Sequence, residues 1–489
     1  MIRFGPFQVD PRTWSLTQSG ESVDLSPRLV EILAAIVEKN GEIVTKDELL
    51  DRFWPGINIS ENTLTRAIAD IRKALGEQAS EPKYIQTLAR RGFRFIADAS
   101  VERPAPGARR PEPDDDPFQA WVQGKLALDS LNLEKLGGAI AAFERAVVEL
   151  PTYAPAHAGL ANAYLLQFEQ TRSGSVPDRG LLTRALSAAR QACAVDPSLG
   201  EGWAVLGYLL MAAGKTEEAQ AAARRAAALE PENWRHQYRL AYSAWGEERL
   251  RAAERALALM PGFAPVRMLS AMVFIARGTL DRAEREATIG AESQRRQRGD
   301  HTPLPAIGFH WLRGLLLAAR GDAAAALTSL VEESATNAAG HIYAREFALN
   351  SRVAAGFIHL TMNDAAAAAS TFQHALVEAP GHPRATLGLY AVVSRGTDSR
   401  ACQLARNATE HALAELTRGE RPIEAALVSA GQRIVEGQSG AAMALLDDML
   451  GGAPPGPAGW IIPVDPMLAA VRVAPGYAEL LAKIAARAS

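Results

Sequence analysis

Residues 118–489 of this 489-residue chain repeat a pattern typical of paired helices. In the clearest unit, residues 200–233, a first helix carries bulky apolar residues, a second carries regularly spaced alanines, and Pro231 ends the unit. The residues that define this unit are Trp203, Leu206, Gly207, Leu210, Ala219, Ala223 and Ala226. Small residues let paired helices approach and bulky residues fill the space between them, so the pattern predicts stacked helical hairpins. Stacking also lets a chain exceed the roughly 250 to 300 residues at which single cores stop growing.

The repeated unit resembles the tetratricopeptide repeat (TPR). Pro197 and Pro231 lie 34 positions apart, which matches the length of that repeat. Further copies carry small and bulky residues in the same order: Ala139, Phe143, Ala146 and Pro151; Ala185, Ala189, Ala192 and Pro197; Ala253, Ala256 and Pro261; Gly356, Ala368, Phe372, Ala375 and Pro380. The resemblance implies an α-helical solenoid whose groove binds a protein, a peptide or a small molecule. Residues 465–481 resemble the end of such arrays and predict a helix pair that caps the last repeat.

The first hundred residues follow a different pattern, with short strands on both sides of three helices. Alternating apolar residues over 4–25, broken by glycine and proline turns, predict a small antiparallel sheet. Pro27 begins a first helix that ends near Gly41. The sequence Thr-Lys-Asp-Glu at 45–48 is a capping box, and it opens a second helix that runs to Trp54. A third helix begins at Ser60.

The third helix has one face suited to a protein core and another suited to a ligand. Its apolar residues recur at helical spacing and form a stripe that must be buried: Leu64, Ile68, Ile71 and Leu75. The opposite face and its margins carry Asn62, Thr65, Arg66, Ala69, Arg72 and Lys73. In the major groove Arg pairs with guanine and Asn with adenine, so this face suits DNA, with Arg66 as the candidate for base contact. An ion pair between Arg66 and Asp70 on a solvated surface explains this helix equally well.

A short hairpin follows the third helix. Residues 84–88 and 92–96 have strand composition, so residues 89–92 form a tip that carries Arg90 and Arg91. Adjacent arginines beside such a helix can reach phosphates or a narrow minor groove, whereas an isolated pair on a turn is more often just solvated. Residues 60–97 carry seven Lys or Arg against four Asp or Glu, a local charge of +3, although the whole chain carries −3. A local basic patch can bind phosphates even on an acidic protein.

Residues 1–98 resemble the winged-helix DNA-binding domain of OmpR/PhoB-type regulators. The segments that carry the resemblance are 41–45, 49–54, 71–75 and 84–95. The resemblance implies that the third helix enters the major groove and that the hairpin, the wing, crosses the adjacent minor groove. It also implies that Trp54, Asn62, Arg72 and Thr87 contact the DNA backbone, and that Thr65, Arg66 and Ala69 face the bases. Many members have basic residues where this chain has Ala69 and Asp70, so the target sequence does not transfer.

The order of these parts predicts a mostly α chain with three regions. They are an α+β winged-helix domain at 1–98, a flexible linker rich in Pro and Asp at 99–117, and a TPR-like domain with its cap at 118–489. We expect no receiver domain ahead of the winged helix. In this respect the chain is similar to the CadC and HilA branch of the family, in which the DNA-binding domain is also N-terminal.

This organisation predicts a DNA-binding transcription regulator and, by resemblance, an activator. The expected partners are double-stranded DNA, RNA polymerase at the loop 55–59, a protein or peptide in the TPR groove, and a second copy of the chain on DNA. The alternative is a TPR scaffold or adaptor whose winged helix contacts proteins. The outward Asn62, Arg66 and Lys73 and the Arg90-Arg91 turn favour DNA.

The sequence lacks the signals of secreted, membrane-spanning, metal-binding and catalytic proteins. No signal peptide and no stretch of about 18 apolar residues occurs, which predicts a cytoplasmic bacterial protein, without membrane contact, that joins the nucleoid when bound to DNA. Cys193 and Cys402 lie far apart, so we expect neither a disulfide nor a zinc site. The segment 213–216 reads Ala-Gly-Lys-Thr, but Leu209 stands where a phosphate-binding loop needs glycine. No catalytic motif occurs, so we expect no enzymatic activity, no cofactor and no metal.

Overall fold

The computed structural model divides the chain into two compact units, Met1–Pro111 and Glu112–Ser489. The residues that it describes are 2–10, 15–23, 25, 27–39, 41–53, 61–78, 81–88, 91–101, 117–129, 133–172, 177–297, 306–335 and 343–489. Most of the predicted linker, residues 102–116, lies outside these ranges.

Among the residues described in the N-terminal unit are short strands and three helices. The strands are β1 (Ile2–Phe4), β2 (Phe7–Asp10), β3 (Ser15–Gln18), β4 (Glu21–Val23), β5 (Ile43–Val44), β6 (Ile85–Leu88), β7 (Gly92–Phe95) and β8 (Ala99–Val101). The helices are α1 (Pro27–Glu38), α2 (Lys46–Phe53) and α3 (Glu61–Ala74). This order confirms the prediction of a strand-containing winged-helix domain.

Two antiparallel sheets frame these helices. One has the strand order β4-β3-β2-β1-β8, and the other has the order β5-β7-β6, in which β6 and β7 form the predicted hairpin. Strand β8 pairs with β1 along residues 99–101, so three residues that the sequence assigned to the linker belong to the sheet. Phe4 packs edge-on against Tyr84 and Phe95, and these rings join the first sheet to the wing.

Two local predictions in this unit are confirmed. The backbone amide of Thr45 donates to Glu48 Oε2 at 2.8 Å, and the amide of Glu48 donates to Thr45 Oγ1 at 3.1 Å, so the capping box is complete. The apolar stripe of α3, from Leu64 to Leu75, is at most 4% exposed. Because this stripe faces the core, the opposite face of α3 faces outward.

The described part of the C-terminal unit is helical. Its α-helices are α4 (Pro117–Asp129), α5 (Leu133–Glu149), α6 (Ala154–Arg172), α7 (Arg179–Val195), α8 (Gly200–Ala212), α9 (Thr216–Leu229), α10 (Trp234–Ser243), α11 (Gly246–Leu259), α12 (Pro265–Ala276), α13 (Leu280–Arg296), α14 (Phe309–Ala319), α15 (Ala323–Ser334), α16 (Ala344–Thr361), α17 (Ala365–Glu378), α18 (Pro383–Val393), α19 (Ser399–Arg418), α20 (Pro422–Val435), α21 (Ser439–Gly452) and α22 (Tyr477–Arg487). Consecutive helices from α4 to α21 pack as hairpins, which confirms the predicted helical-repeat fold. Within the described part of the chain, no helix has both the length and the apolar composition of a membrane span.

Small residues allow the paired helices to pack close together, as the sequence predicts. The alanines of the 200–233 unit, Ala219, Ala223 and Ala226, are completely buried. A Cβ atom added to Gly207 in α8 would lie 2.9 Å from the carbonyl oxygen of Ala219 in α9. Since that distance is shorter than van der Waals contact, only glycine permits this approach of the two backbones.

The C-terminal tail reaches beyond the last hairpin. A 3-10 helix, Pro466–Val473, packs against α14, α16 and α20, and α22 packs against both α21 and α12. Arg277, at the end of α12, donates through Nε to the carbonyl oxygen of Ala488 at 2.8 Å. The tail therefore covers the first helices of several pairs, in addition to the end of the array that the sequence expected it to cap.

Candidate nucleic-acid interface

The outward face of α3 carries part of the predicted DNA-contacting set. Thr65, Ala69 and Lys73 are exposed, and Asp70 is exposed beside them. The backbone positions of Asn62 and Arg66 belong to α3, but their side chains lie outside the description, so the ion pair of Arg66 with Asp70 stays an alternative.

Other predicted positions lie outside the described residues altogether. They are Trp54, the loop 55–59 expected to contact RNA polymerase, and Arg90.

Arg72 lies inside the domain, although the sequence placed it at the margin of the outer face. It is 8% exposed, and its Nη2 atom donates to the carbonyl oxygen of Ile85 at 2.7 Å and to Thr87 Oγ1 at 2.8 Å. Burial lowers the pKa of Arg72 from its ordinary value, and the neighbouring Glu77 opposes that shift. The guanidinium therefore ties α3 to strand β6 of the wing.

Glu77 completes this connection. Its carboxylate lies 3.6 Å from Arg72 Nε and accepts hydrogen bonds from the backbone amides of Lys83, Tyr84 and Ile85 at 2.8, 2.7 and 3.2 Å. Glu77 is only 7% exposed, and a buried carboxylate needs such partners to offset its lost hydration. Glu77 enters the sequence prediction only as a charge, since nothing in its local pattern indicates a buried position.

Thr87 connects the buried network to the surface. The residue is exposed, yet its hydroxyl oxygen accepts from Arg72. A hydroxyl that accepts a hydrogen bond still has its own proton to donate, and Arg72 fixes its oxygen in place. This arrangement presents a donor of fixed position on the wing, as a contact to a phosphate oxygen requires.

The wing tip depends on one glycine. The amide of Arg91 donates to the carbonyl oxygen of Leu88 at 2.9 Å, and the Arg91 side chain is exposed. Gly92 follows with φ +136°, and a Cβ atom there would lie 2.0 Å from the carbonyl oxygen of Val44. The wing can pack against β5 in this way only because Gly92 has no side chain.

Replacing Gly92 with alanine is expected to destabilise the N-terminal unit by about 2 to 3 kcal/mol, because both the backbone angle and the space oppose a methyl group. Hydrogen exchange of the amides of β5 and β7 measures this loss in the full chain. Gly76→Ala is the control, since Gly76 also has positive φ but has no atom within 4 Å of its added Cβ. Equal effects of the two substitutions would contradict the steric part of the explanation.

Comparisons with known proteins agree with this geometry. Residues 20–95 match the family model described as "Transcriptional regulatory protein, C terminal". The transcriptional activator CadC of Escherichia coli is 29% identical over 97 residues, which cover 20% of this chain and 19% of CadC. The transcriptional regulator HilA of Salmonella typhimurium is 38% identical over 90 residues, which cover 18% of this chain and 16% of HilA. The chain thus matches less than a fifth of each relative's length.

A solved structure of a repeat protein also aligns with this chain. A tetratricopeptide repeat protein from Parabacteroides merdae covers 60% of this chain and 99% of its own, with 16% identity and a TM-score of 0.37. At the N-terminus, the OmpR/PhoB-type resemblance and the likeness to CadC and HilA are confirmed, and the relatives matched there are transcriptional regulators.

Proposed function

We propose that this chain activates transcription by binding promoter DNA through its N-terminal unit, with the TPR-like array sensing a ligand or recruiting a protein. The observation that carries the proposal is the junction of α3 with the wing. The buried network of Arg72 and Glu77 holds a helix with an outward polar face beside a strand that presents Thr87. The name of CadC, a transcriptional activator, supports activation over repression.

In this proposal the two DNA-contacting elements have separate tasks. Helix α3 enters the major groove, where Arg66 contacts base edges with Thr65 and Ala69 beside it, and Asn62 contacts the DNA backbone. Lys73, Arg90 and Arg91 contact phosphates, as do Trp54 and the hydroxyl of Thr87. Arg72 acts as a positioning residue, since its guanidinium bonds within the domain. RNA polymerase at residues 55–59 and a second copy of the chain on DNA complete the proposed assembly.

Substitutions at Arg66 and Arg91 distinguish base reading from phosphate contact. Arg66→Ala is expected to weaken specific binding by roughly 1 to 3 kcal/mol and to relax preference at one or two base pairs. Arg91→Ala is expected to weaken binding to all sequences and to reduce the slope of log affinity against log salt by about 1. Gel-shift titrations on an operator identified by genome-wide crosslinking measure both effects.

Arg400→Ala is the control for these titrations, because Arg400 is an exposed arginine on α19 of the array. Arg400→Ala is expected to bind like the unmodified chain. If Arg66→Ala and Arg91→Ala also bind like the unmodified chain, the assignment of the interface is wrong. If the unmodified chain binds no duplex even at low salt, the adaptor alternative replaces the proposal.

A further inference from the structure

Two contacts in the array join helices that are far apart along it. In a repeat array each repeat packs mainly on its neighbours, and the described helices α4–α10 share no extensive packing with α16–α22. The C-terminal tail extends back to α12, where α22 packs. Between the part that contains α4–α10 and the part that contains α16–α22, the connection is made by individual side chains.

These connections, called here the closure contacts, are one hydrogen bond and one ion pair. Tyr343 lies just before α16, and its hydroxyl donates to Glu169 Oε2 in α6 at 3.4 Å across 174 positions of sequence. Arg179, at the start of α7, has its Nη2 atom 2.5 Å from Oε2 of Glu420, in the turn between α19 and α20. Both contacts hold the region of α6 and α7 against the second half of the array.

Other charged groups near the closure contacts are bonded within their own part of the array. Arg418 pairs with Glu415 and Arg421 with Glu424, all on α19, α20 or the turn between them. The buried Arg249 of α11 donates to the carbonyl oxygens of residues 241, 242 and 244, at the end of α10 and in the turn after it. None of these bonds crosses from one part of the array to the other.

Glu420 occupies a turn position that suits glycine or asparagine. Its φ is +52°, its amide donates to the carbonyl oxygen of Thr417 at 3.1 Å, and the next amide donates to that of Leu416 at 3.0 Å. The α20–α21 turn has the same bonding pattern around Gly437 at φ +76°, and the α16–α17 turn has it around Asn363 at φ +61°. A glutamate is strained in this conformation, which indicates that its side chain has a role beyond the turn.

The closure contacts are weak compared with the packing between neighbouring helices. The side chains of Arg179 and Glu420 are 56% and 70% exposed, and exposed ion pairs contribute little to stability. The curvature of an array is the sum of small rotations between repeats, so a slight change at each of α8–α15 separates the joined parts. The balance between a closed and an open array therefore responds to small free energies.

We propose that the array alternates between this closed form and an open form in which both closure contacts are broken. Opening takes Tyr343 away from Glu169 and uncovers that carboxylate on α6. A partner that binds the uncovered part of α6 stabilises the open form, because it binds one of the two forms better than the other. This inference rests on the sensing role proposed for the array, and it names the conformational change through which the array acts.

Distances between two spin labels measure the closed and open populations in the full chain. Thr183→Cys on α7 and Ala414→Cys on α19 place the labels at exposed positions near the ion pair. Cys402→Ser removes a partly exposed native thiol, whereas Cys193 is buried and stays unlabelled. Two distance populations are expected, and the shorter distance, from the closed form, is expected to dominate.

Glu420→Gly separates the closure contact from the stability of the fold. It removes the ion pair and relieves the strained turn, so the ratio of open to closed form is expected to rise about two- to fivefold with little change in the melting temperature. Asn363→Gly is the matched control, because it changes the equivalent position of another turn, away from the closure contacts. It is expected to leave the distance populations unchanged.

Charge reversal tests the ion pair directly. Arg179→Glu is expected to favour the open form, and its combination with Glu420→Arg should restore the closed form, because the exchanged charges attract each other again. Arg190→Glu makes the same change at another exposed position of α7 and should have no effect. Tyr343→Phe keeps the ring but removes the hydrogen bond to Glu169, so it should also favour the open form.

A single distance that is the same in the unmodified chain and in every variant would overturn the proposal. Equal effects of Glu420→Gly and Asn363→Gly, or a double charge reversal that does not restore the closed form, would overturn it as well. DNA binding is measured separately by gel shift. A chain that binds DNA but has one fixed distance contradicts only this inference, whereas a chain that opens but binds no DNA contradicts only the proposed DNA-binding function.

Discussion

In a Glu77→Ala variant, the free energy of unfolding of the N-terminal unit is expected to fall by about 3 to 5 kcal/mol. The substitution leaves the buried Arg72 guanidinium without its carboxylate and removes the acceptor for the amides of Lys83, Tyr84 and Ile85. An uncompensated buried charge and unpaired buried amides are among the most costly defects in a folded domain. Hydrogen exchange of the amides of α3 and β6 in the full chain measures the loss.

The matched control for this substitution is Glu81→Ala. Glu81 lies four positions further along the same connection but is exposed, so its loss is expected to change stability by no more than about 0.5 kcal/mol. Combining Glu77→Ala with Arg72→Met completes a double-mutant cycle, and the double variant should lose less than the sum of the two single losses. Equal stability of the Glu77 and Glu81 variants would show that the carboxylate does not support the wing.

Glu77→Ala also separates positioning from contact at the DNA interface. Glu77 is buried, so DNA cannot touch it directly, yet its loss releases the Arg72 guanidinium that holds Thr87. Under conditions in which the variant remains folded, weaker binding to all duplexes is expected, with little change in the preferred sequence. This pattern differs from that of Arg66→Ala, which should alter the preference itself.

The sequence predicted those features that depend on neighbours along one element. The capping box from Thr45 to Glu48 and the apolar stripe from Leu64 to Leu75 lie within a few turns of helix, where periodicity determines the outcome. The backbone amides that donate to Glu77 lie six to eight positions away, and the Thr87 partner of Arg72 lies fifteen positions away, beyond the end of the helix. Periodicity does not encode how the chain folds back, so Arg72 was expected at the margin of the outward face as a contact to the DNA backbone, and Glu77 was counted only as an acid.

The path of the C-terminal tail could not be predicted from periodicity either. Its local pattern predicted helices, and the structure contains the 3-10 helix Pro466–Val473 and α22. Its path across α12, α14, α16 and α20 depends on contacts between residues that are distant in sequence, such as the ion pair of Arg384 with Asp465 at 2.8 Å. The hydrogen bond from the Tyr343 hydroxyl to Glu169 Oε2 was not predicted for this reason too, since the two residues lie 174 positions apart and meet only when the array is assembled.

In the repeats, replacing Phe372 with alanine is expected to destabilise the array by about 3 to 5 kcal/mol. Its ring is completely buried in α17 and fills the space between the neighbouring first helices. Cβ atoms added at Gly356 in α16 and at Gly388 in α18 would lie 2.5 and 2.3 Å from the ring, so both helices pack directly on it. Removing the ring leaves a cavity that two helix backbones cannot easily close.

The 200–233 unit has a small alanine at the position where the other repeat has the ring of Phe372. Gly207 and Ala223 are spaced like Gly356 and Phe372, but here the small alanine lets the backbones meet, at 2.9 Å from the added Cβ of Gly207 to the oxygen of Ala219. A repeat built around alanine cannot simply accept the larger ring, nor can the Phe372 repeat contract without moving its neighbours. The ring at 372 is therefore expected to be a determinant of local helix spacing as well as a source of apolar burial.

Because each repeat contacts mainly its neighbours, the loss in Phe372→Ala should be concentrated in α16, α17 and α18. Hydrogen exchange resolved along the chain measures that distribution, and calorimetric unfolding measures its total. Val377→Ala is the control, since Val377 lies on the same helix but is 82% exposed, and its effect should stay within about 0.5 kcal/mol. If Phe372→Ala is no less stable than this control, or if protection falls evenly along the array, the ring does not set the spacing of its neighbours.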